Sequence, residues 1–295
     1  MEITEKAFAK LNLSLDVAAR RPDGYHELAM VMASVDLHDD VTVSLRRDGV
    51  VSAESSFSWL PRDDKNHGVK AARAFFDAIG EKGLGADIRM VKRIPVGAGM
   101  AGGSTDAAAV LRALDTLTGA GLGDERLREI ALTVGSDVPY CVVGGAALAK
   151  GRGELLSPLP ELPDCHIVIC KPGFSISTAD LFRRIDGRAI RTRPDTAGLT
   201  AALERGDLAG AARRMYNVFE DALPRSAGEI AAIRGKLLDA GALGAIMTGT
   251  GSAVFGVFDR EETAEAAYAF LKREYRECFL TRPVARLGGR QTEEA

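Results

Sequence analysis

Apolar and polar residues alternate in short segments along the first 46 residues. The segments LNLSLDV, ELAMVMASVDL and DVTVSLRR place every second side chain on one face, which is the period of a half-buried strand. They are interrupted by RRPDGYH, whose Pro-Asp-Gly sequence is typical of a tight turn. This pattern predicts an antiparallel sheet over residues 2–46.

Helical periodicity begins after this sheet. NHGVKAARAFFDAIG at 66–80 carries apolar residues at helical spacing and ends in glycine, and similar patterns predict helices over 104–118 and 124–134. Between the first two helices lies DIRMVKRI, a strand-like segment that leads directly into a glycine-rich stretch. The first half of the chain therefore combines a sheet with helices.

The second half also mixes strands and helices. HIVICKP is typical of a buried strand, and GAIMTGTGSAVFGVF predicts a glycine turn that leads into another strand. Helices are predicted over TADLFRRI, 225–240 and 261–275.

A proline-rich segment, SPLPELPDC at 157–165, separates the two halves. We therefore expect an N-terminal domain at 1–158 and a C-terminal domain at 159–285. The polar segment at 286–295 is predicted to be a disordered tail.

Composition and charge narrow the class of protein. The chain has 295 residues, of which 46% are hydrophobic and 27% charged, a balance typical of a folded globular protein. The net charge of -3 provides no basic surface, so nucleic acid is not expected as a partner. No apolar run approaches membrane-spanning length, and the charged N-terminus does not resemble a signal peptide. We expect a cytoplasmic protein that acts on small molecules, with an oligomeric state that the sequence does not indicate.

The four cysteines do not suggest a zinc site or a disulfide framework. They form no C-x-x-C pair, and Cys141, Cys165 and Cys170 lie in apolar runs. Such runs are typical of reduced, buried thiols.

The glycine-rich stretch PVGAGMAGGSTDAAA at 95–109 is the main candidate for chemistry. Glycines let backbone N–H groups approach an anion, and a helix that starts directly afterwards offers its positive end to phosphate. A P-loop is excluded because no lysine follows the last glycine. Gly97, Gly99 and Gly102 do satisfy G-x-G-x-x-G, so a dinucleotide site remains a minor alternative, but successive helices follow where that fold needs a second parallel strand.

A purely structural interpretation of this stretch is also open. It would be a tight turn in which Ser104 is the N-cap of the next helix and Asp106 interacts favourably with the helix dipole. This interpretation does not explain the additional glycines, each of which costs roughly 0.5–1 kcal/mol relative to alanine in ordered structure.

The same stretch resembles the ATP-binding loop of the galactose, homoserine, mevalonate and phosphomevalonate kinase superfamily. Further segments match in family order over roughly residues 6–258: AFAKLNLSLDV, RRPDGYHEL, NHGVKAA, GSDVPYCVVGG, KPGFSISTADLF and MTGTGSAVFG. The long glycine run followed by Ser-Thr-Asp resembles the branch whose substrate carries a cytidyl group. Departures from the family pattern are Met100-Ala101 for leucine-glycine, threonine for serine at 105 and 250, and His67-Gly68 for an aliphatic pair.

The resemblance implies a two-domain α+β kinase, with an N-terminal domain like ribosomal protein S5 domain 2 and a C-terminal ferredoxin-like domain. It implies ATP and Mg²⁺ as cofactors, bound with the substrate in the cleft between the domains. Ser104 and Thr105 could also offer hydroxyls to Mg²⁺, which the phosphates would mainly hold. The implied ATP-binding residues are Asn66, Pro95, Val96, Gly97, Ala98, Gly99, Met100, Ala101, Gly102, Gly103, Ser104 and Thr105.

The implied activity is phosphorylation of a hydroxyl group on a cytidyl substrate of non-mevalonate isoprenoid biosynthesis. Asp137 would be the general base, and Lys10 would be the cation that keeps it charged and stabilises the transferring phosphoryl group. Without the resemblance, the sequence supports at least as well a structural turn acid at Asp137 and a solvated strand lysine at Lys10. Asn12 shares the Lys10 face of its strand and could orient the substrate.

Four further residues match substrate-contact positions of that branch. Tyr25, His26 and Phe182 would hold the cytosine, and Thr178 would contact the substrate. Each also has an ordinary interpretation: turn tyrosine, surface histidine, core phenylalanine and helix N-cap. A sister kinase acting on homoserine or a mevalonate, or a non-catalytic nucleotide-binding protein, remains an alternative.

Overall fold

The computed structural model describes residues 1–287, which form two sheets with helices packed against them. The strands are β1 Glu2–Arg20, β2 His26–Arg46, β3 Val51–Ser55, β4 Gly85–Val91, β5 Ala147–Gly151, β6 Leu155–Pro158, β7 His166–Lys171, β8 Tyr216–Asn217, β9 Gly244–Met247, β10 Val254–Phe258, β11 Glu277–Thr281 and β12 Pro283–Val284. The α-helices are α1 His67–Ile79, α2 Gly102–Thr118, α3 Gly123–Val134, α4 Val138–Val143, α5 Thr178–Asp186, α6 Thr196–Glu204, α7 Leu208–Ala212, α8 Gly228–Asp239 and α9 Glu261–Lys272. Short 3-10 helices span Val218–Ala222 and Arg225–Ala227.

The first sheet is built on a long antiparallel hairpin of β1 and β2, which confirms the predicted sheet over 2–46. Its main strand order is β3-β4-β2-β1-β8, and β5 and β12 also pair with β2. The hairpin turn lies at the predicted Pro-Asp-Gly, where Gly24 donates a backbone hydrogen bond to the carbonyl oxygen of Arg21. This turn brings Tyr25 and His26 to one end of the sheet.

Helix α2 packs on this sheet with almost no exposed surface along its middle. Residues 105–111 are all buried, and three of them, 107–109, are alanines, whose small side chains let the helix lie close to the strands. The helix ends at Gly119, which has a φ of 67° and bonds back to Thr116. Helices α1, α3 and α4 surround α2 and complete the core.

The second sheet has four antiparallel strands in the order β11-β7-β10-β9. Every residue of β7, HIVICK, is buried, which confirms the predicted buried strand. Helices α8 and α9 lie against this sheet and confirm the helices predicted from 225 and from 261. The two sheets with their helices confirm the α+β fold class.

The predicted boundary after residue 158 falls between β6 and β7, but two strands from beyond it return to the first sheet. Strand β8 pairs in parallel with β1, and β12 pairs with β2. The two halves therefore share the first sheet as well as a contiguous core.

The start of the predicted tail is held by the body of the protein. The amide of Arg286 donates to Glu161, and the amide of Leu287 donates to the carbonyl oxygen of Val143. The rest of that predicted tail, 288–295, lies outside the described residues.

Two further features concern the cysteines and the length of the helices. The four cysteines are buried and free, which confirms the burial predicted for Cys141, Cys165 and Cys170. Within residues 1–287, no helix has the length and apolar character needed to cross a bilayer.

Candidate active site

A cavity of about 890 Å³ opens between the two halves of the molecule. Its wall combines the glycine stretch, the β1–β2 turn, the start of α4, the start of α5 and the turn between β9 and β10. These segments are distant in sequence, so the cavity exists only in the folded chain.

The glycine stretch is fixed against the β9–β10 turn. Gly99 has a φ of 77°, and a Cβ atom there would lie 2.1 Å from the carbonyl oxygen of Thr248. The amides of Ser252 and Ala253 donate to the carbonyl oxygens of Gly97 and Ala98. Only glycine satisfies both the backbone angle and the close approach at position 99, so the second half of the chain helps to shape the loop.

Helix α2 starts two residues earlier than predicted, at Gly102, and its N-cap is Ala101. Ala101 has a φ of 59°, which makes it the one non-glycine residue with positive φ among the described residues. Ser104 is the third helical residue and lines the cavity, so the interpretation of Ser104 as N-cap is wrong. The open N-terminus of this 17-residue helix therefore presents free backbone donors beside the cavity.

Three charged groups are buried beneath the glycine stretch. Lys92 donates to both Asp39 and Asp106, and the other oxygen of Asp39 accepts the backbone amides of Arg93 and Ile94. Burial and the Asp39 charge raise the pKa of Asp106 to about 7, against the lowering effect of Lys92. Burial lowers the pKa of Lys92, but the two carboxylates outweigh it and the pKa is raised.

Lys10 is buried in β1 and lines the cavity. Its ammonium group donates to Asn12 Oδ1 at 2.6 Å and to the carbonyl oxygen of Gly99 at 2.9 Å. Burial lowers the pKa of Lys10, and the charge of Asp137 acts in the opposite direction. Lys10 and Asp137 thus lie in the wall of the same cavity and interact electrostatically.

Asn12 supports Lys10 rather than lining the cavity. It is fully buried, and its amide nitrogen Nδ2 contacts the sulfur of Met30 at 3.5 Å. Its backbone N–H donates to the hydroxyl of Thr248 at 3.0 Å. The predicted proximity of Asn12 to Lys10 is therefore confirmed, while its predicted contact with substrate stays a prediction.

Asp137 lies directly before α4 and lines the cavity. An acid at this position could cap the helix, but its carboxylate makes no hydrogen bond to the first helical turn. The carboxylate is therefore available to a ligand. Asp137 does lie in a turn, and its role as general base stays a prediction.

The β1–β2 turn and α5 bring His26 and Phe182 into contact. Their rings stack with centroids 4.5 Å apart and an interplanar angle of 24°. Phe182 also packs on the hydrophobic core, where its ring meets that of Phe219 edge to face at 4.9 Å. Tyr25 lines the same cavity with 51% of its surface exposed, and the guanidinium of Arg152 lies 4.7 Å from its ring centroid.

Thr178 and Asn66 also line the cavity. The N-cap of α5 is Ser177, and the Thr178 hydroxyl is 2.9 Å from that of Thr250. Asn66 caps α1 by accepting from Gly68, and its amide donates to the carbonyl oxygen of Pro61. The helix-capping interpretation of Thr178 is therefore wrong, and the predicted contact of Asn66 with ATP stays a prediction.

Thr105 is the predicted loop residue that the structure does not bring to the cavity. It is buried, and its hydroxyl donates to the carbonyl oxygen of Gly102 at 2.8 Å. Within residues 1–287, no group of three or more histidine, cysteine or acidic side chains is arranged to hold a metal. The Ser104 hydroxyl and the glycine cradle fit a phosphate-bound ion rather than a side-chain cage.

Comparison with known proteins agrees with this geometry. Residues 66–145 match the GHMP kinases N terminal domain, and residues 199–277 match the GHMP kinases C terminal domain. A protein of Syntrophomonas wolfei named 4-diphosphocytidyl-2-C-methyl-D-erythritol kinase is 44% identical over 93% of this chain and 96% of its own. The chain belongs to the GHMP kinases. It is therefore a phosphotransferase, and ATP is its phosphoryl donor.

Solved structures of other kinases have the same fold as this GHMP kinase. A crystal structure of 4-(cytidine 5'-diphospho)-2C-methyl-D-erythritol kinase superposes with a TM-score of 0.79 at 33% identity, covering 97% of this chain and all of that one. A homoserine kinase from Cytophaga hutchinsonii gives a TM-score of 0.74 at 22% identity, covering 97% of this chain and 95% of its own. The second likeness shows the shared fold alone.

Sequence reasoning missed several residues of the kinase cavity. His67 lies beside Gly103 at the start of α2, and burial lowers its pKa. Arg152 and Lys92 also line the cavity. Val91 is 49% exposed, while its neighbour Lys92 is buried. The hydrophobic pattern therefore predicts the opposite burial for these two residues.

Proposed function

We propose that this kinase transfers the γ-phosphoryl group of ATP to the 2-hydroxyl of 4-diphosphocytidyl-2-C-methyl-D-erythritol. The supporting observation is that one cavity is lined by the glycine stretch, the carboxylate of Asp137, and an aromatic group formed by His26 and Phe182. A glycine stretch and a base alone would suit every GHMP kinase. The aromatic group is what a cytidyl substrate needs in addition.

In this proposal Asp137 accepts the proton of the 2-hydroxyl as its oxygen attacks the γ-phosphorus. The bond from the γ-phosphorus to the β–γ bridging oxygen breaks, and ADP leaves with that oxygen. Lys10 stabilises the negative charge that develops on the transferring group, and its hydrogen bond to Gly99 holds it beside the loop. The N-terminus of α2 and the loop amides bind the phosphates of ATP.

Mg²⁺ bound to the ATP phosphates would neutralise part of their charge. Ser104 is the side chain that could add a ligand, because its hydroxyl lies at the cavity and that of Thr105 is engaged with Gly102. We further propose that the protein is cytoplasmic and uses no nucleic acid or membrane partner.

A turnover assay with MgATP and alternative acceptors tests the substrate. The cytidyl substrate should be phosphorylated, and homoserine and mevalonate should give no ADP above background. Product analysis by ³¹P NMR should show a new phosphomonoester on the methylerythritol unit. Turnover of homoserine or mevalonate in place of the cytidyl compound would refute the proposal and leave the family membership intact.

A further inference from the structure

The imidazole of His26 is bonded to an acid that the sequence pattern does not indicate. His26 Nε2 lies 2.7 Å from Asp186 Oδ1, and Asp186 is the last residue of α5. The two residues are 160 positions apart, so the contact joins the β1–β2 turn to the helix that carries Phe182. One face of the ring is stacked on Phe182.

This hydrogen bond determines which ring nitrogen carries the proton. An ionised carboxylate can only accept, so the hydrogen must be on Nε2 of His26. In the neutral imidazole, Nδ1 is then an acceptor. Nδ1 has no hydrogen-bond partner among the described residues, and His26 lines the cavity.

Other acids near the turn are already engaged. Glu27 accepts from Arg21 and from the backbone amide of Gly151, and Asp23 accepts from Arg21 and from the amide of Tyr25. Asp186 is therefore the acceptor available to Nε2. Stacking on Phe182 fixes the plane of the His26 ring. Two ring orientations, related by a half-turn about the Cβ–Cγ bond, share that plane, and the hydrogen bond to Asp186 selects one of them.

We propose that Asp186 is a positioning residue that makes the cavity select cytosine over uracil, an inference that rests on the proposed function. An acceptor at Nδ1 matches the exocyclic amino group of cytosine, which donates. Uracil carries a carbonyl oxygen at that position, so two lone pairs would face each other. A site built around such a hydrogen bond rejects the mismatched ligand strongly, because its polar group is left unpaired.

The test compares kcat/KM for the cytidyl substrate with that for the same compound carrying uracil. Asp186→Leu has similar size and no acceptor, and should lower this ratio about tenfold or more, with the loss in the KM of the cytidyl compound. Asp186→Asn keeps an acceptor oxygen and should retain the ratio within about threefold. Asp180→Leu is the matched control, because Asp180 lies on the same helix and pairs with Arg183 instead.

An unchanged ratio in a correctly folded Asp186→Leu protein, with both substrates slowed equally, would overturn the proposal, since a merely structural role lowers both alike. The ¹⁵N chemical shifts of the His26 ring in the full chain give a second readout. At alkaline pH, where imidazole side chains are neutral, they should show the proton on Nε2 in the wild type and a mixture in Asp186→Leu. A proton on Nδ1 in the wild type would refute the assignment.

The two proposals fail in different ways. If the wild type phosphorylates neither cytidyl nor uridyl compound, the proposed substrate is wrong, and the selection of cytosine falls with it. The NMR result would still decide whether Asp186 sets the tautomer. If the cytidyl compound is turned over but the ratio does not depend on Asp186, only the inference about Asp186 fails.

Discussion

The ammonium group of Lys10 donates a hydrogen bond to the carbonyl oxygen of Gly99 across 2.9 Å. One residue belongs to the first strand and the other to the glycine stretch, 89 positions later. The position of the buried Lys10 ammonium group therefore depends on the conformation of the proposed ATP loop. The hydrogen bond also holds Lys10 within electrostatic range of Asp137.

Replacing Lys10 by methionine should lower kcat/KM for ATP by about 10²–10³, because both the charge and the tie to Gly99 are lost. Lys6→Met is the control, since Lys6 is exposed on the same strand. Steady-state kinetics and circular dichroism would be measured for both. Wild-type kinetics in a folded Lys10→Met protein would remove Lys10 from the chemistry.

Asp137→Asn should lower kcat by about 10²–10⁴ and leave ATP affinity nearly unchanged, because the amide cannot accept the proton of the substrate hydroxyl. Calorimetric titration with ATP and turnover assays separate the two effects. Asp124→Asn, at the start of α3, serves as the control. A collapse of ATP binding would mean that Asp137 binds the nucleotide or its metal, and a different base would be needed.

Phe182→Ala should weaken binding of the cytidyl substrate by about 1–3 kcal/mol, which is typical of one aromatic ring stacked on a base. ATP affinity should change little. The variant will also be less stable, because Phe182 packs edge to face on Phe219. Leu181→Ala is the matched control, since Leu181 is fully buried on the same helix. It should lose stability and keep substrate affinity. Equal losses of affinity in both variants would show that Phe182 only packs in the core and does not bind the substrate.

Ala101→Gly should stabilise the protein by about 0.5–1 kcal/mol. A left-handed conformation costs a non-glycine residue roughly 1–2 kcal/mol, and the greater freedom of glycine in the unfolded chain offsets part of the gain. Urea denaturation measures the difference. Ala113→Gly, in the middle of the same helix, should instead destabilise by at least about 1 kcal/mol. A loss of stability in Ala101→Gly would contradict the positive φ at that residue.

Asp106 gives a pH dependence with a defined sign. Its pKa is about 7 in the folded protein and roughly 3.9 in an unfolded chain, so the folded state binds more protons between these values. The Asp106 contribution to the free energy of unfolding therefore falls as pH rises from about 4 to about 7. Asp106→Asn should not show this fall. The free energy of unfolding of the variant minus that of wild type should therefore rise by on the order of 2 kcal/mol from pH 5 to pH 8.

Thermal unfolding of both proteins across this range measures the effect. Asp77→Asn is the control, because Asp77 is exposed on α1. A constant difference between Asp106→Asn and wild type at all pH values would show that Asp106 does not titrate there.

The sequence by itself determined the elements and the kind of chemistry. The sequence features that predicted these elements are local patterns: alternation over 2–46, helical spacing at 66–80 and the glycine stretch at 95–105. Each depends on residues that are close together in the sequence, so it can be recognised without the tertiary structure. The ordered motifs also identified the kinase family. What the sequence did not determine were the contacts between segments that are far apart along the chain.

Tertiary structure decided those contacts. Asp39 lies in β2, Lys92 directly after β4 and Asp106 in α2, and no local pattern predicts that a lysine beside an exposed valine is buried between two acids. The backbone of Gly97 and Ala98 is held by amides of the β9–β10 turn, and the hydrogen bond from His26 to Asp186 exists only because α5 packs beside the β1–β2 turn. A charge or tautomer depends on its neighbours in space, so it is fixed only when packing brings those neighbours together.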